Sequence, residues 1–204
     1  SPHPATGANL HDPAFVPFWA EAQDLGITVA LHEAAVGDRP TGGLDRFHNL
    51  FFGHLLIHPI EQQRGSLAMI CGGVLEQFPR LRLIIAHGGG GTTFQIGRYL
   101  NPPGREEAHL YGSKYKGSFL EGYKKLYFDG TLYTKEALEL LIKVVGPERV
   151  LFGTETPGRG SFRYEGRMLD DLRPVVESID WLTAAQKKMI LEDNAKKVFN
   201  LKNL

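Results

Sequence analysis

Leu81-Arg82-Leu83-Ile84-Ile85-Ala86-His87-Gly88-Gly89-Gly90-Gly91 is a short apolar run that stops abruptly at a histidine and four glycines. Six residues rich in Leu and Ile, bounded by Pro79 on one side and glycine on the other, read as a strand buried on both faces. Three further stretches repeat the plan. Ile27-Thr28-Val29-Ala30-Leu31 ends in His32-Glu33, Leu126-Tyr127-Phe128 ends in Asp129-Gly130, and Arg149-Val150-Leu151-Phe152 ends in Gly153-Thr154-Glu155. Each apolar run therefore delivers polar groups at its C-terminal end.

Helical patterns separate these runs. Asp12-Pro13 pairs an N-cap acid with a proline at the first helical position, ahead of Phe15, Phe18, Trp19, Ala22 and Leu25, and Gly26 is a stop. Leu67, Ile70, Cys71, Val74, Leu75 and Phe78 predict one long helix closed by Pro79. Thr134 predicts a cap for the helix bearing Ala137, Leu138, Leu141, Val144 and Val145, which ends at Gly146-Pro147. Residues 170–179 look helical, and Thr183 with Gln186 predicts a capping box opening a last helix through Phe199. Strands alternating with helices predict an α/β fold with a parallel sheet. Functional groups at the C-terminal strand ends suit an open sheet and a (β/α)8 barrel alike. A full barrel takes eight strands and about 250 residues. Four strands with a leading helix make half of one, in a single domain over residues 1–204.

Composition narrows the partners. Lys+Arg and Asp+Glu both number 23, a zero formal charge with no electrostatic footprint for nucleic acid or an anionic membrane. No apolar run approaches the roughly 20 residues of a membrane helix. The start, Ser1-Pro2-His3-Pro4, lacks the pattern of a signal peptide, and the single cysteine, Cys71, suits buried filler and a reducing cytoplasm.

The candidate chemistry sits at the strand ends. Parallel strands lie about 4.8 Å apart, so His32, His87 and Glu155 are expected around one mouth. Two imidazoles and a carboxylate suit a divalent metal of the zinc type, although a histidine at a strand end is often purely structural. Asp129 competes with Glu155 for the ligand role, or else is a hydrogen-bonded turn acid before Gly130. The four glycines lack the arrangement of a nucleotide-binding loop and are expected to let backbone and substrate approach the His87 imidazole. His48, His54 and His58 belong either to a substrate-facing loop or to a polar helix start. His3, His11 and His109 read as solvated. Arg98, 11 residues beyond His87, reads from the residues alone as a surface ion-pair former.

His87-Gly88-Gly89-Gly90 with Gly97-Arg98-Tyr99, Leu126-Tyr127-Phe128-Asp129, Val150-Leu151-Phe152-Gly153-Thr154-Glu155 and the closing Glu192-Asp193-Asn194-Ala195-Lys196-Lys197-Val198-Phe199 together resemble the amidohydrolase-related group of the amidohydrolase superfamily. Its decarboxylase and hydratase branches are nearest, the hydratases because they too end the last strand in Glu. The resemblance covers nearly the whole chain. It implies that His32 is the fifth-strand metal ligand, Glu155 the eighth-strand ligand, and His87 the general acid/base beside the metal. It further implies that Arg98 reaches a substrate carboxylate from a neighbouring subunit. The group's first-strand His-x-His pair has no counterpart here, which predicts that Ser1 falls near the end of the fourth strand. The implied protein is a homo-oligomer, as a dimer, holding zinc or alternatively manganese. It acts as a lyase on an unsaturated or aromatic small carboxylate, with a hydrolase or a non-catalytic half-barrel as alternatives.

Overall fold

A computed structural model describes residues 8–32, 56–100, 114–156, 163–164 and 166–201. Thr28–Leu31 (β1), Arg82–Ile85 (β2), Tyr127–Asp129 (β3) and Val150–Leu151 (β4) form one sheet in the order β1-β2-β3-β4, and every pairing is parallel. The four predicted runs are thus the four strands of the main sheet, each trimmed at its ends. The register Ile85–Phe128–Val150 places alternate residues on opposite faces. Leu31, Leu83, Ile85, Phe128 and Val150 join the main apolar core, whereas Ile84, Tyr127 and Leu151 form a second cluster with Val198 on the other face. A sheet with apolar side chains on both faces requires cover on both, as the parallel βα plan supplies.

Helices Val16–Asp24 (α1), His58–Cys71 (α2), Val74–Gln77 (α3) and Lys135–Val145 (α6) contribute Trp19, Met69, Ile70, Leu75, Leu138, Leu141 and Val145 to the main core. Asp12 caps a short 3-10 turn ahead of α1, and Gly26 takes a positive φ of 63° where that helix ends. Thr134 caps α6 through Ala137 N, as its position predicts. The long helix expected through Phe78 is instead two, broken at Gly72-Gly73. A Cβ on Gly72 would lie 2.2 Å from His11 Cβ, and Gly73 has a φ of 84°. Close packing against the N-terminal segment interrupts the helix there.

Between β2 and β3 lie Ile96–Tyr99 (α4) and Phe119–Tyr123 (α5), the latter opened by a Ser118–Glu121 capping box. Arg163–Tyr164 (β5) and Arg167–Met168 (β6) form a small antiparallel pair that the periodicity does not reveal. Of the segment 170–179, Arg173–Glu177 (α7) is α-helical. The Thr183–Gln186 capping box opens Ala184–Lys188 (α8), and Asn194–Val198 (α9) continues it after a π turn at Met189–Asp193. Asn194 Nδ2 donates to Pro147 O and Val150 O, and Thr28 Oγ1 donates to Val198 O. The last helix is thereby pinned to both edge strands. Among the described residues no helix is long and apolar enough to cross a membrane.

Candidate active site

The site is built from the residues that leave the strands. Past β2, Ala86 continues the chain to His87, whose φ of 49° is unusual for a residue with a side chain. Asp129, the last residue of β3, holds it there. Its Oδ1 accepts from the His87 backbone N–H at 2.8 Å and from Thr131 N at 3.1 Å. Asp129 is therefore a turn acid, and it also anchors the neighbouring strand end.

The glycines after His87 serve packing. Gly88, Gly89 and Gly90 all have positive φ, and a Cβ on Gly90 would stand 1.9 Å from Pro59 O of α2. A Cβ on Gly89 would meet Tyr123 Oη at 2.7 Å. The expected close approach of backbone at these glycines is what the loop shows. They let the loop lie directly on the first turn of α2 and on Tyr123, whose hydroxyl pairs with Thr93 Oγ1 at 2.8 Å. Burial holds that phenol well above the ordinary tyrosine pKa.

The His87 ring is engaged at both nitrogens. Nε2 lies 2.7 Å from Glu155 Oε1, and Nδ1 lies 2.7 Å from Gln62 Nε2. The second Glu155 oxygen, Oε2, accepts from the Tyr133 hydroxyl at 2.6 Å. Tyr133 has a φ of 61°, again in the left-handed region. Desolvation, then the bond to Glu155 and the charges of Glu155, Asp170 and Asp129, push its phenol pKa upward. The phenol therefore stays a hydrogen-bond donor at all ordinary pH. The His32 ring lies 5.0 Å from that of His87, centre to centre. The His58 ring stands 6.1 Å from His32 and 6.4 Å from His87.

His32, His87 and Glu155 thus gather at the C-terminal ends of β1, β2 and β4. His58 is the first residue of α2, buried beside them, so of its two readings it is the helix start. His3, His48, His54 and His109 lie outside the described residues, as does the stretch 33–55. His11 is exposed. Arg98 is exposed on α4, with no ion-pair partner among the described residues. Gln62 and Tyr133 are the additions that the sequence reading lacks. Gln62 hides in the polar run Glu61-Gln62-Gln63-Arg64, which has the composition of a solvated helix face, yet its side chain is fully buried. Tyr133 follows a strand end by four residues, a position where functional groups of α/β proteins concentrate.

Among the described residues no three His, Cys, Asp or Glu side chains are arranged to hold a metal ion. His32 and Glu155 are donors of the right kind, an imidazole and a carboxylate, but a catalytic zinc takes three protein ligands. The described residues alone fall short of that set.

A parallel sheet with acid/base groups gathered at its C-terminal edge defines an α/β protein of the kind whose sites lie at strand ends. The chain belongs to the amidohydrolase family, whose model matches residues 1–201. It is 29% identical over 191 residues to the 2-amino-3-carboxymuconate-6-semialdehyde decarboxylase of Dictyostelium discoideum, covering 93% of this chain and 49% of that protein. It is 28% identical over 135 residues to the 2-keto-4-carboxy-3-hexenedioate hydratase of a Sphingobium species, covering 65% of this chain and 37% of that protein. The manganese-bound dihydroxybenzoic acid decarboxylase of a Polaromonas species superposes with a TM-score of 0.69 at 18% identity, covering 98% of this chain and 58% of the other. The chain spans half or less of the length of these two sequence relatives.

Proposed function

We propose that this chain supplies the last four β/α units of a (β/α)8 barrel, the C-terminal half of a metal-dependent lyase. The reaction is decarboxylation or hydration of a small unsaturated or aromatic carboxylic acid. The observation that carries this reading is the His87 imidazole held between Gln62 and Glu155, 5.0 Å from the His32 ring, at the strand-end mouth. The family supports it, since the relatives named above are decarboxylases and a hydratase.

His32 and Glu155 are two ligands of a divalent ion, zinc or alternatively manganese, and the remaining ligands come from outside the described residues. When bound, the ion polarises a substrate carboxylate or carbonyl and lowers the pKa of water. His87 moves the proton. An imidazole can both give and take a proton and is suited to general acid/base work. In decarboxylation it protonates the substrate carbon that bears the carboxylate. The C–C bond then breaks, and its electron pair returns to the unsaturated system as CO2 leaves. In hydration it shuttles a proton while water oxygen adds across the double bond. Tyr133 steadies Glu155 by donating to the oxygen that His87 leaves open. Arg98 pairs with a substrate carboxylate across a subunit boundary. Hydrolysis by the same groups is the second reading, favoured only by the family name.

The test uses the full-length polypeptide carrying this chain, loaded with zinc or manganese. Incubation with 2,6-dihydroxybenzoate and with a carboxymuconate semialdehyde is followed by CO2 release, and incubation with an unsaturated oxo-dicarboxylate by loss of the conjugated absorbance. Turnover of any of these supports the lyase reading. Turnover only of an ester, amide or lactone panel overturns it in favour of hydrolysis.

A further inference from the structure

We infer that Gln62 is a positioning residue that sets the tautomer and orientation of His87, with its amide N–H donating to Nδ1 so that the Nε2–H faces Glu155 and the mouth. The inference rests on the lyase reading for its catalytic meaning, though its geometry is independent of substrate.

Glu155 is the first constraint on the ring. A carboxylate oxygen only accepts hydrogen bonds, and Glu155 Oε1 lies 2.7 Å from His87 Nε2. For a neutral imidazole that contact favours the hydrogen on Nε2, because two lone pairs at this distance would repel. Nδ1 is then an acceptor and needs a donor. Gln62 Nε2, 2.7 Å away, is that donor. A carboxylate at the same place would be a second acceptor and would leave Nδ1 without a donor. The amide is the side chain of this size that donates without carrying charge.

The surroundings give Gln62 no competing task. Its side chain is fully buried, and its Oε1 has no hydrogen-bond partner among the described residues. A buried amide that leaves half its capacity unsatisfied is costly, so its retention in a helix core calls for a return elsewhere. The strained His87 backbone, held by Asp129, is the other half of the device. Asp129 fixes where the residue sits, and Gln62 fixes which nitrogen faces the mouth. Partners that orient the histidines of a metal site from behind change metal affinity or activity by about 10–100-fold when removed, and the same scale is expected here.

Histidine 15N NMR of the full chain reads the tautomer directly, with His87 assigned by its disappearance in His87→Asn. The expected result is a pyridine-type Nδ1 and a pyrrole-type Nε2 at a pH where the ring is neutral. Gln62→Met, similar in length but unable to donate, is expected to leave a tautomer mixture. In the full-length enzyme the Met variant should lower kcat by about 10–100-fold with KM within a few-fold and bound metal unchanged. A pyrrole-type Nδ1 in the wild type overturns the inference, and that measurement needs no variant to fold. A Met variant that keeps both the wild-type tautomer and kcat overturns it equally. Because the tautomer is read without turnover, failure of the lyase assay leaves this result standing on its own.

Discussion

At the residue scale the mouth divides into groups that act and groups that hold. His87 is placed to move protons, so His87→Asn in the full-length enzyme should abolish turnover while metal content stays near the wild-type value. His32→Ala and Glu155→Ala should instead lower metal content, each removing a ligand in the proposed assignment. Elemental analysis beside a rate assay separates the two behaviours, and loss of metal in the His87 variant would reverse the roles. Gly90 is the sharpest steric constraint in the loop. It has a φ of 63° and ψ of −135°, and a Cβ there meets Pro59 O at 1.9 Å. Gly90→Ala should therefore cost about 2–5 kcal/mol, from backbone strain plus overpacking. Urea denaturation measures this, and a change under about 0.5 kcal/mol, the size typical of harmless surface substitutions, would mean the loop relaxes freely.

At the scale of elements, the caps carry most of what local sequence can specify. Ser118 accepts from Glu121 N at 3.3 Å, and the Glu121 carboxylate accepts from Ser118 N at 2.7 Å. The bond from the Ser118 backbone is the largest cause of the lowered Glu121 pKa. A carboxyl whose pKa falls on folding adds stability above its unfolded pKa, and that contribution disappears as pH falls through the folded value. The stability gap between wild type and Glu121→Gln should accordingly be constant near neutrality and narrow in acid. Thermal unfolding across that range tests it, and a gap independent of pH would deny the carboxylate its capping role. The break at Gly72-Gly73 belongs to the same scale. The apolar spacing runs through it without interruption, while the left-handed Gly73 and the packing of His11 against Gly72 separate α2 from α3.

For the molecule as a whole, the sheet order leaves β1 and β4 with one strand neighbour each among the described residues. Ala30 on β1 and Ile27 just before it are exposed. Unpaired strand edges are ready to accept another strand, and the proposed half-barrel reading has them closed by more chain or by a second copy, with Arg98 near the boundary. Light scattering on the isolated chain should then give a mass above 22.7 kDa, and a monodisperse monomer would count against closure between copies. The same chain, dialysed after purification, should retain little metal, because His32 and Glu155 alone make an incomplete set. A stoichiometric, dialysis-resistant ion would show that ligands within this chain suffice.

Four strands, their parallel pairing, the caps at Thr134 and Thr183, and the gathering of His32, His87 and Glu155 were legible in the residue order. These depend on local rules. Apolar runs of strand length, helical spacing and capping pairs act over a few residues, and a parallel βα plan brings every strand end to one edge. The periodicity does not reveal the β5–β6 pair, and the partners that the glycines let approach, Pro59 and Tyr123, were decided by contacts between segments distant in sequence. Gln62 shows the limit most clearly. It sits 25 residues before the imidazole it orients, within a run of polar residues that reads as a solvated helix face. The His87–Gly90 loop descends onto the first turn of α2 and brings the imidazole to the buried Gln62, and glycine at the crowded Gly90 is what permits the approach to Pro59.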